Sequence, residues 1–196
     1  MEKKEFLSKQ SVRSKYLAYR DSLTKSERVE KSRRLWENLK KDRAFKEAEL
    51  ILAYMDYRSE VITTEFVKEL LGGEMGKRVF VPKVEGMNID FFEIASLEDL
   101  HSGYQGIREP EENKEKLFTA ELMDKHNCLL LVPGAVFDRQ MGRMGYGKGF
   151  YDRFIHRYPL LKKAGIAFEC QMAKAVPIEA HDKNADLVVT ESAVYR

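Results

Sequence analysis

The feature that most constrains this 196-residue chain is an apolar run that stops abruptly in a charged, glycine-rich loop. The run extends from Cys128 to Val132 and is closed by Pro133 and Gly134. A short apolar run with these bounds favours a buried strand of a parallel sheet over a helix. Such a strand needs both of its faces covered, so the run predicts a layered α/β fold.

The loop that follows combines conformational freedom with positive charge. Arg143, Tyr146 and Lys148 are interleaved with four glycines, at positions 142, 145, 147 and 149. Glycine tolerates positive φ, so successive backbone N–H groups can surround an anion. The helix-like residues from Phe150 onward would place that anion at a helix N-terminus, which favours phosphate. The loop therefore predicts a polyphosphate site.

Neither of two common phosphate-binding motifs fits the loop. Gly142 to Lys148 has the spacing of a P-loop, but Gly149 stands where that motif needs Ser or Thr. The dinucleotide fingerprint that would begin at Gly145 fails because Phe150 occupies its last glycine position. A glycine-rich surface turn remains the alternative interpretation.

Apolar runs alternate with helical periodicity along the chain, which predicts β-α-β units. The alternation predicts one domain over residues 1–196, a three-layer α/β/α fold with a largely parallel sheet and an N-terminal helical segment. We expect Phe91 and Tyr104 to be core residues, although either could wall a ligand pocket. Helices are predicted over 3–22, from 24 to about 41 and over 63–73, and strands over 50–55, 77–84, 88–94, 128–132, 164–168 and 186–190.

Composition narrows the class of protein. Hydrophobic residues make up 43% and charged residues 34%, which excludes dominant disorder. No apolar run approaches a membrane span and the first ten residues lack an apolar signal core, so we expect a cytoplasmic protein. Cys128 and Cys170 have no zinc-like spacing and are predicted to be reduced core thiols.

The first 49 residues carry a net charge of +6 and the remainder −4. Nucleic-acid binding is one interpretation, but the basic residues alternate with acidic ones and lack interleaved aromatics. Lys9 and Arg13 are one helical turn apart and could hold one phosphate group together. A solvated helix face is the alternative for this pair.

Beyond these patterns, the segments VPGAVFD and GRMGYGKGFYDR resemble the signature of the 5-formyltetrahydrofolate cyclo-ligase family, also called methenyltetrahydrofolate synthetases. KQSVR, EVITTEF, VPKV, GIREP and HDKNADLVV match in the same order, so the resemblance covers nearly the whole chain. It implies an ATP- and Mg²⁺-dependent ligase that converts 5-formyltetrahydrofolate into 5,10-methenyltetrahydrofolate. The expected substrate is a folate with or without a polyglutamate tail, and the expected state is a monomer or weak homodimer.

The resemblance also implies site residues. Human-type members have arginine and tyrosine where this chain has Tyr146 and Phe150, so position 150 lacks a hydroxyl here. An alternative to an enzyme is a regulatory module that binds a phosphosugar without turning it over. Such a module would need a DNA-binding segment, and no helix-turn-helix pattern is evident in the sequence. The implied catalytic residues are Arg143 and Lys148; the ATP-binding residues are Lys9, Arg13, Arg143, Met144, Gly145, Tyr146, Gly147, Lys148, Gly149, Phe150 and Tyr151; the substrate-binding residues are Met55, Glu60, Tyr146, Gly147 and Lys148; and the magnesium ligands are Asp152 and Asp186.

Overall fold

The computed structural model describes residues 8–177 and 183–196. The start of the first predicted helix and His181 lie outside these ranges. Ser8 caps the first helix, and Thr24 forms a capping box with Glu27 at the start of the second. The helices are α1 (Lys9–Asp21), α2 (Lys25–Lys41), α3 (Arg43–Glu47), α4 (Thr64–Leu71), α5 (Ala120–Lys125) and α6 (Phe150–Arg157).

Strands alternate with these helices, as the sequence predicts. A central sheet of seven strands has the order β12-β11-β9-β6-β1-β2-β3. The five inner strands are parallel, and the edge strands β12 and β3 run antiparallel to their neighbours. The strands are β1 (Leu50–Leu52), β2 (Arg78–Glu85), β3 (Asn88–Ile94), β4 (Leu100–Ser102), β5 (Arg108–Pro110), β6 (Cys128–Pro133), β7 (Val136–Asp138), β8 (Arg143–Met144), β9 (Lys162–Ile166), β10 (Met172–Ala173), β11 (Leu187–Val189) and β12 (Val194–Tyr195).

Helices cover both faces of this sheet, which confirms the predicted three-layer fold. Side chains alternate between the faces of a strand, so Leu50 and Ile51 enter different cores. Leu50 packs in a cluster with Phe154 of α6, whereas Ile51 packs in a cluster with Leu35 of α2 and Phe66 of α4. Trp36 of α2 is buried in the second of these clusters and stacks on Phe66 with ring centroids 4.2 Å apart.

The strand order reverses direction between β1 and β6. From β1 the chain continues through α4 to β2 on one side, whereas β6 lies on the other side of β1 and is followed by α6 and β9. Crossovers that leave in opposite directions open a crevice at the carboxyl ends of the two strands. The glycine-rich loop follows β6 and therefore lies at this crevice.

Several local predictions are wrong. The segment from residue 103 to 116, predicted to be loop, contains β5, which pairs antiparallel with β4. The first strand ends at Leu52 rather than at residue 55, because the chain turns there into the wall of a pocket. Both cysteines are free thiols but are half-buried rather than core residues. No helix among the described residues is long and apolar enough to cross a membrane.

Candidate active site

A pocket of about 410 Å³ occupies the crevice between the carboxyl ends of β1 and β6. Its size suits a small-molecule ligand, and its lining is mainly apolar with a few polar groups. One wall comes from α1 and the segment after β1, and the opposite wall from the glycine-rich loop and the start of α6. Of the predicted site residues, those lining it are Met55, Glu60, Arg143, Gly145, Tyr146, Lys148, Gly149, Phe150, Tyr151 and Asp152.

The glycine-rich loop has the backbone geometry that an anion site requires. Gly147 and Gly149 adopt φ values of +95° and +67°, and Gly149 immediately precedes α6. Within the described residues, no backbone N–H from Tyr146 to Asp152 donates a hydrogen bond to the protein. These N–H groups and the positive end of the α6 dipole are thus available to an anion.

Two cations lie at this loop: Lys148 belongs to the loop itself, and Arg13 reaches it from α1. Lys148 is exposed, lines the pocket, and its ammonium forms no hydrogen bond or ion pair within the described residues. Arg13 reaches over from α1, where its Nε donates a 2.9 Å hydrogen bond to the Gly145 carbonyl. Lys9 lies one turn before Arg13, half-buried at the start of α1. The structure therefore brings Arg13 and Lys148 to the same loop.

Arg143 differs from Lys148 because it is only 3% exposed. Its guanidinium donates to the Asp152 carboxylate and to the Pro133 carbonyl, the latter over 3.4 Å. The Met144 side chain is also buried and packs in a cluster with Val136, away from the pocket. Arg143 therefore fixes the first turn of α6, and Met144 contributes core packing.

On the folate side suggested by the sequence, Glu60 is 8% exposed and Met55 is buried beside it. Burial raises the pKa of the Glu60 carboxyl, and a hydrogen bond from Tyr146 and the charge of Arg20 partly offset that rise. The Tyr146 ring is 40% exposed, but its hydroxyl points inward and lies 3.3 Å from the Gly134 carbonyl. Burial and the Glu60 charge raise the pKa of this phenol well above its ordinary value.

The structure does not bring the two predicted metal ligands together. Asp152 lies beside Pro133, which pairs with Ile166 in β9, whereas Asp186 accepts hydrogen bonds from Lys163 at the amino end of that strand. Three residues of strand correspond to about 10 Å, so these partners place the two carboxylates at different levels of the sheet. Asp186 immediately precedes β11 and therefore lies at the amino ends of the parallel strands, whereas the pocket lies at their carboxyl ends.

Asp152 alone still fits a magnesium site. Its Oδ1 accepts from Arg143 and from the Lys183 N–H, and its Oδ2 has no hydrogen bond within the described residues. Mg²⁺ is commonly held by one or two carboxylates together with substrate phosphates and water. No group of three acidic, histidine or cysteine side chains able to hold a metal occurs among the described residues.

Several pocket residues were not among the predicted site residues, and the most informative of them is Arg20. Arg20 lies seven residues after Arg13 on the same face of α1, a spacing that could have signalled it. Tyr104, for which core packing was preferred over a pocket wall, lines the pocket and packs edge-on against Phe150 at 6.0 Å between ring centroids. Phe91 is fully buried, as expected.

Comparison with known proteins shows the family of the chain. Residues 5–191 match the model of the 5-formyltetrahydrofolate cyclo-ligase family. The chain belongs to this family. A 5,10-methenyltetrahydrofolate synthetase structure from Aquifex aeolicus is 33% identical, with a TM-score of 0.82 over 97% of this chain and 93% of that one. This cyclo-ligase family member is therefore a ligase.

More distant relatives agree. The probable cyclo-ligase of Schizosaccharomyces pombe is 28% identical over 167 residues, which cover 78% of this chain and 79% of the relative. A Mycoplasma pneumoniae synthetase structure shares the cyclo-ligase fold, with a TM-score of 0.72 at 21% identity over 94% of this chain and 99% of that one.

Proposed function

We propose that the protein converts 5-formyltetrahydrofolate into 5,10-methenyltetrahydrofolate, with consumption of ATP in the presence of Mg²⁺ and release of ADP and phosphate. The observation that carries this proposal is a mainly apolar pocket that opens directly onto a loop of free backbone N–H groups. An apolar pocket suits a pteridine ring, and the loop suits a polyphosphate. Membership of the cyclo-ligase family supports the same pairing of ligands.

In this proposal the formyl oxygen attacks the γ-phosphorus of ATP, and ADP leaves. Phosphorylation turns the formyl oxygen into a good leaving group, so nitrogen 10 can attack the formyl carbon, lose its proton and expel phosphate. The protein contributes positioning and charge neutralisation, as is typical of phosphoryl transfer. Lys148, Arg13 and the loop N–H groups hold the phosphates, while Met55 and Glu60 contact the folate.

Asp152 is the proposed magnesium ligand through its Oδ2 atom. Bound Mg²⁺ would neutralise charge on the phosphate oxygens. Arg143 is buried against Asp152, so we assign it to positioning this carboxylate rather than to direct contact with phosphate. Asp186 is left out because its carboxylate is bonded to Lys163 and does not line the pocket, whereas Asp152 does.

The test is an assay of purified protein with 5-formyltetrahydrofolate, ATP and Mg²⁺. We expect the near-ultraviolet absorbance of the methenyl product to rise, with one ADP released per product. Omission of ATP or addition of a chelator should stop the reaction. Product without ATP would contradict the proposed chemistry, and tight phosphosugar binding without turnover would favour a sensing module.

A further inference from the structure

Arg20 is a buried cation that the chemistry proposed above does not use. It lies on the pocket side of α1, is 5% exposed, and lines the cavity. Its Nε donates to the Ser59 hydroxyl over 3.0 Å, and its Nη1 donates to the Tyr146 hydroxyl over 2.5 Å. Ser59 in turn donates to Asp21, so the guanidinium is anchored on two sides.

The Tyr146 hydroxyl connects Arg20 to Glu60. It accepts from Arg20, donates to the Gly134 carbonyl and lies close enough to Glu60 for each group to shift the pKa of the other; the Glu60 Oε2 also accepts from the Tyr57 N–H over 3.0 Å. The guanidinium carbon lies 5.5 Å from the centre of the Tyr146 ring, which adds a cation–π contact. Three segments distant in sequence thus meet at one phenol.

We propose that Arg20 is a positioning residue for the folate-binding wall: it orients the Tyr146 hydroxyl and holds Glu60 as an ionised acceptor for N–H groups of the substrate. This inference deepens the proposed function and rests on it. The geometry requires a planar fork, because one guanidinium serves Ser59 and Tyr146 at the same time. A lysine ammonium supplies a point charge without that fork.

Arg13 and Arg20 lie on the same helix but contact opposite ends of the proposed site. Arg13 bonds the loop at Gly145, next to the proposed phosphates, whereas Arg20 bonds Tyr146 toward Glu60. Loss of Arg20 should therefore affect the folate more than ATP. A merely structural role for Arg20 would affect both substrates alike.

The pH dependence of kcat/KM tests the effect of Arg20 on the ionisation of Glu60 independently of substrate affinity. Glu60 faces ionisable groups from each neighbouring segment: Arg20 on α1, Tyr54 and Asp56 after β1, Tyr146 in the loop and Tyr151 on α6. Among these, Arg20 is the cation that opposes the effect of burial on Glu60. Without it, the acid limb of kcat/KM for the folate should move to higher pH.

The experiment compares Arg20→Met, Arg20→Lys, Tyr146→Phe and the Arg20→Met/Tyr146→Phe double variant, with folding followed by thermal melts. Arg20→Met should lower kcat/KM for 5-formyltetrahydrofolate about 10- to 100-fold, as expected when a buried charged partner is lost, and leave the KM for ATP within about twofold. The double variant should resemble the poorer single variant, because the two groups act together. Arg20→Lys should keep the wild-type acid limb but not the wild-type KM. Arg33→Met, on the exposed face of α2, is the matched control and should behave as wild type.

Additive effects of the two single changes would overturn the inference, as would a folded Arg20→Met protein with an unchanged KM for the folate. An equal rise in both KM values would assign Arg20 a structural role only. Should Arg20→Met fail to fold, Ser59→Ala loosens the guanidinium and keeps its charge, and it should raise the folate KM alone. Wild-type protein without turnover would overturn the proposed function and this inference together, whereas active wild type with indifferent variants overturns this inference alone.

Discussion

Arg143 and Lys148 lie five residues apart in the glycine-rich loop, but their surroundings differ. Arg143 is buried and bonded to Asp152, while the Lys148 ammonium is exposed at the pocket. Breaking a buried ion pair by removing one partner costs about 3 kcal/mol of stability or more. Removing an exposed charge costs about 0.5 kcal/mol or less. Substitution of Arg143 should therefore lower the stability of the protein far more than substitution of Lys148.

Lys148→Gln should lower kcat strongly while leaving the melting temperature nearly unchanged. A preorganised charge aimed at a transferring phosphoryl contributes about 3 to 4 kcal/mol to the transition state, or roughly 10²- to 10³-fold in rate. Turnover at saturating ATP measures this loss. Lys68→Gln, on the exposed face of α4, is the control and should keep full activity. Near-wild-type kcat in the Lys148 variant would remove this residue from the phosphate site.

Glu60 should give the protein a measurable dependence of stability on pH. Its pKa is raised in the folded protein, chiefly by burial, from an ordinary value of 4.5. The stability associated with this group is therefore complete below that value and is lost as pH rises through the folded pKa. Relative to wild type, Glu60→Gln should gain melting temperature as pH rises from about 4 to 7.

Thermal melts of the two proteins across this pH range test the sign. Glu112→Gln, an exposed loop change, should give a difference from wild type that stays flat with pH. A Glu60→Gln advantage that shrinks as pH rises would contradict the burial of an ionisable carboxyl at this position.

Among the elements, the glycine-rich loop should be sensitive to a single methyl group. Gly147 has a φ of +95°, where a side chain costs roughly 1 to 3 kcal/mol. Gly147→Ala should therefore reshape the loop and raise the KM for ATP. Gly73→Ala is a matched control, because Gly73 has a φ of +81° after α4 and open space around it. Both variants should lose stability, and equal kinetics for both would show that the loop does not bind ATP.

Periodicity was sufficient to predict α1, α2 and α4 and six of the seven strands of the central sheet. Thr24 and Glu27 mark the start of α2 because a capping box is a local interaction. Tertiary position is not local, which is why the assignment of Asp186 to the metal site lacked support. That residue immediately precedes a strand, and parallel strands carry their amino ends away from the ligand crevice. Arg20 was missed because its partner Tyr146 lies 126 residues away.

At the scale of the whole molecule, the order of strands decides where the site lies. β1 is central although it comes first in the chain, and β6 pairs with it on the side away from β2. Alternating helices and strands indicated a parallel sheet, but several strand orders satisfy that pattern. Pairings such as Leu50 with Cys128 depend on packing across the entire sheet. The sequence therefore predicted the fold class, but it did not predict which strands border the crevice.

Binding of ATP and Mg²⁺ should stabilise the folded protein as a whole. A ligand that binds the folded state alone adds about 2.7 kcal/mol at one hundred times its Kd. ATP with Mg²⁺ should therefore raise the melting temperature by several degrees, whereas Mg²⁺ alone or adenosine should have little effect. Differential scanning calorimetry measures the shift. Equal stabilisation by adenosine would contradict a site organised around the phosphates.

The bonds from α1 to the glycine-rich loop have a consequence for synthesis of the protein. Arg13 meets Gly145 across 132 positions, and Arg20 meets Tyr146 across 126. Chains grow at about 5 to 20 residues per second, so α1 leaves the ribosome long before its partners exist. Ligand binding by a nascent chain should begin only after the loop has emerged. Chains that stop before it have α1 without its docking surface, and they expose its apolar face to chaperones and proteases.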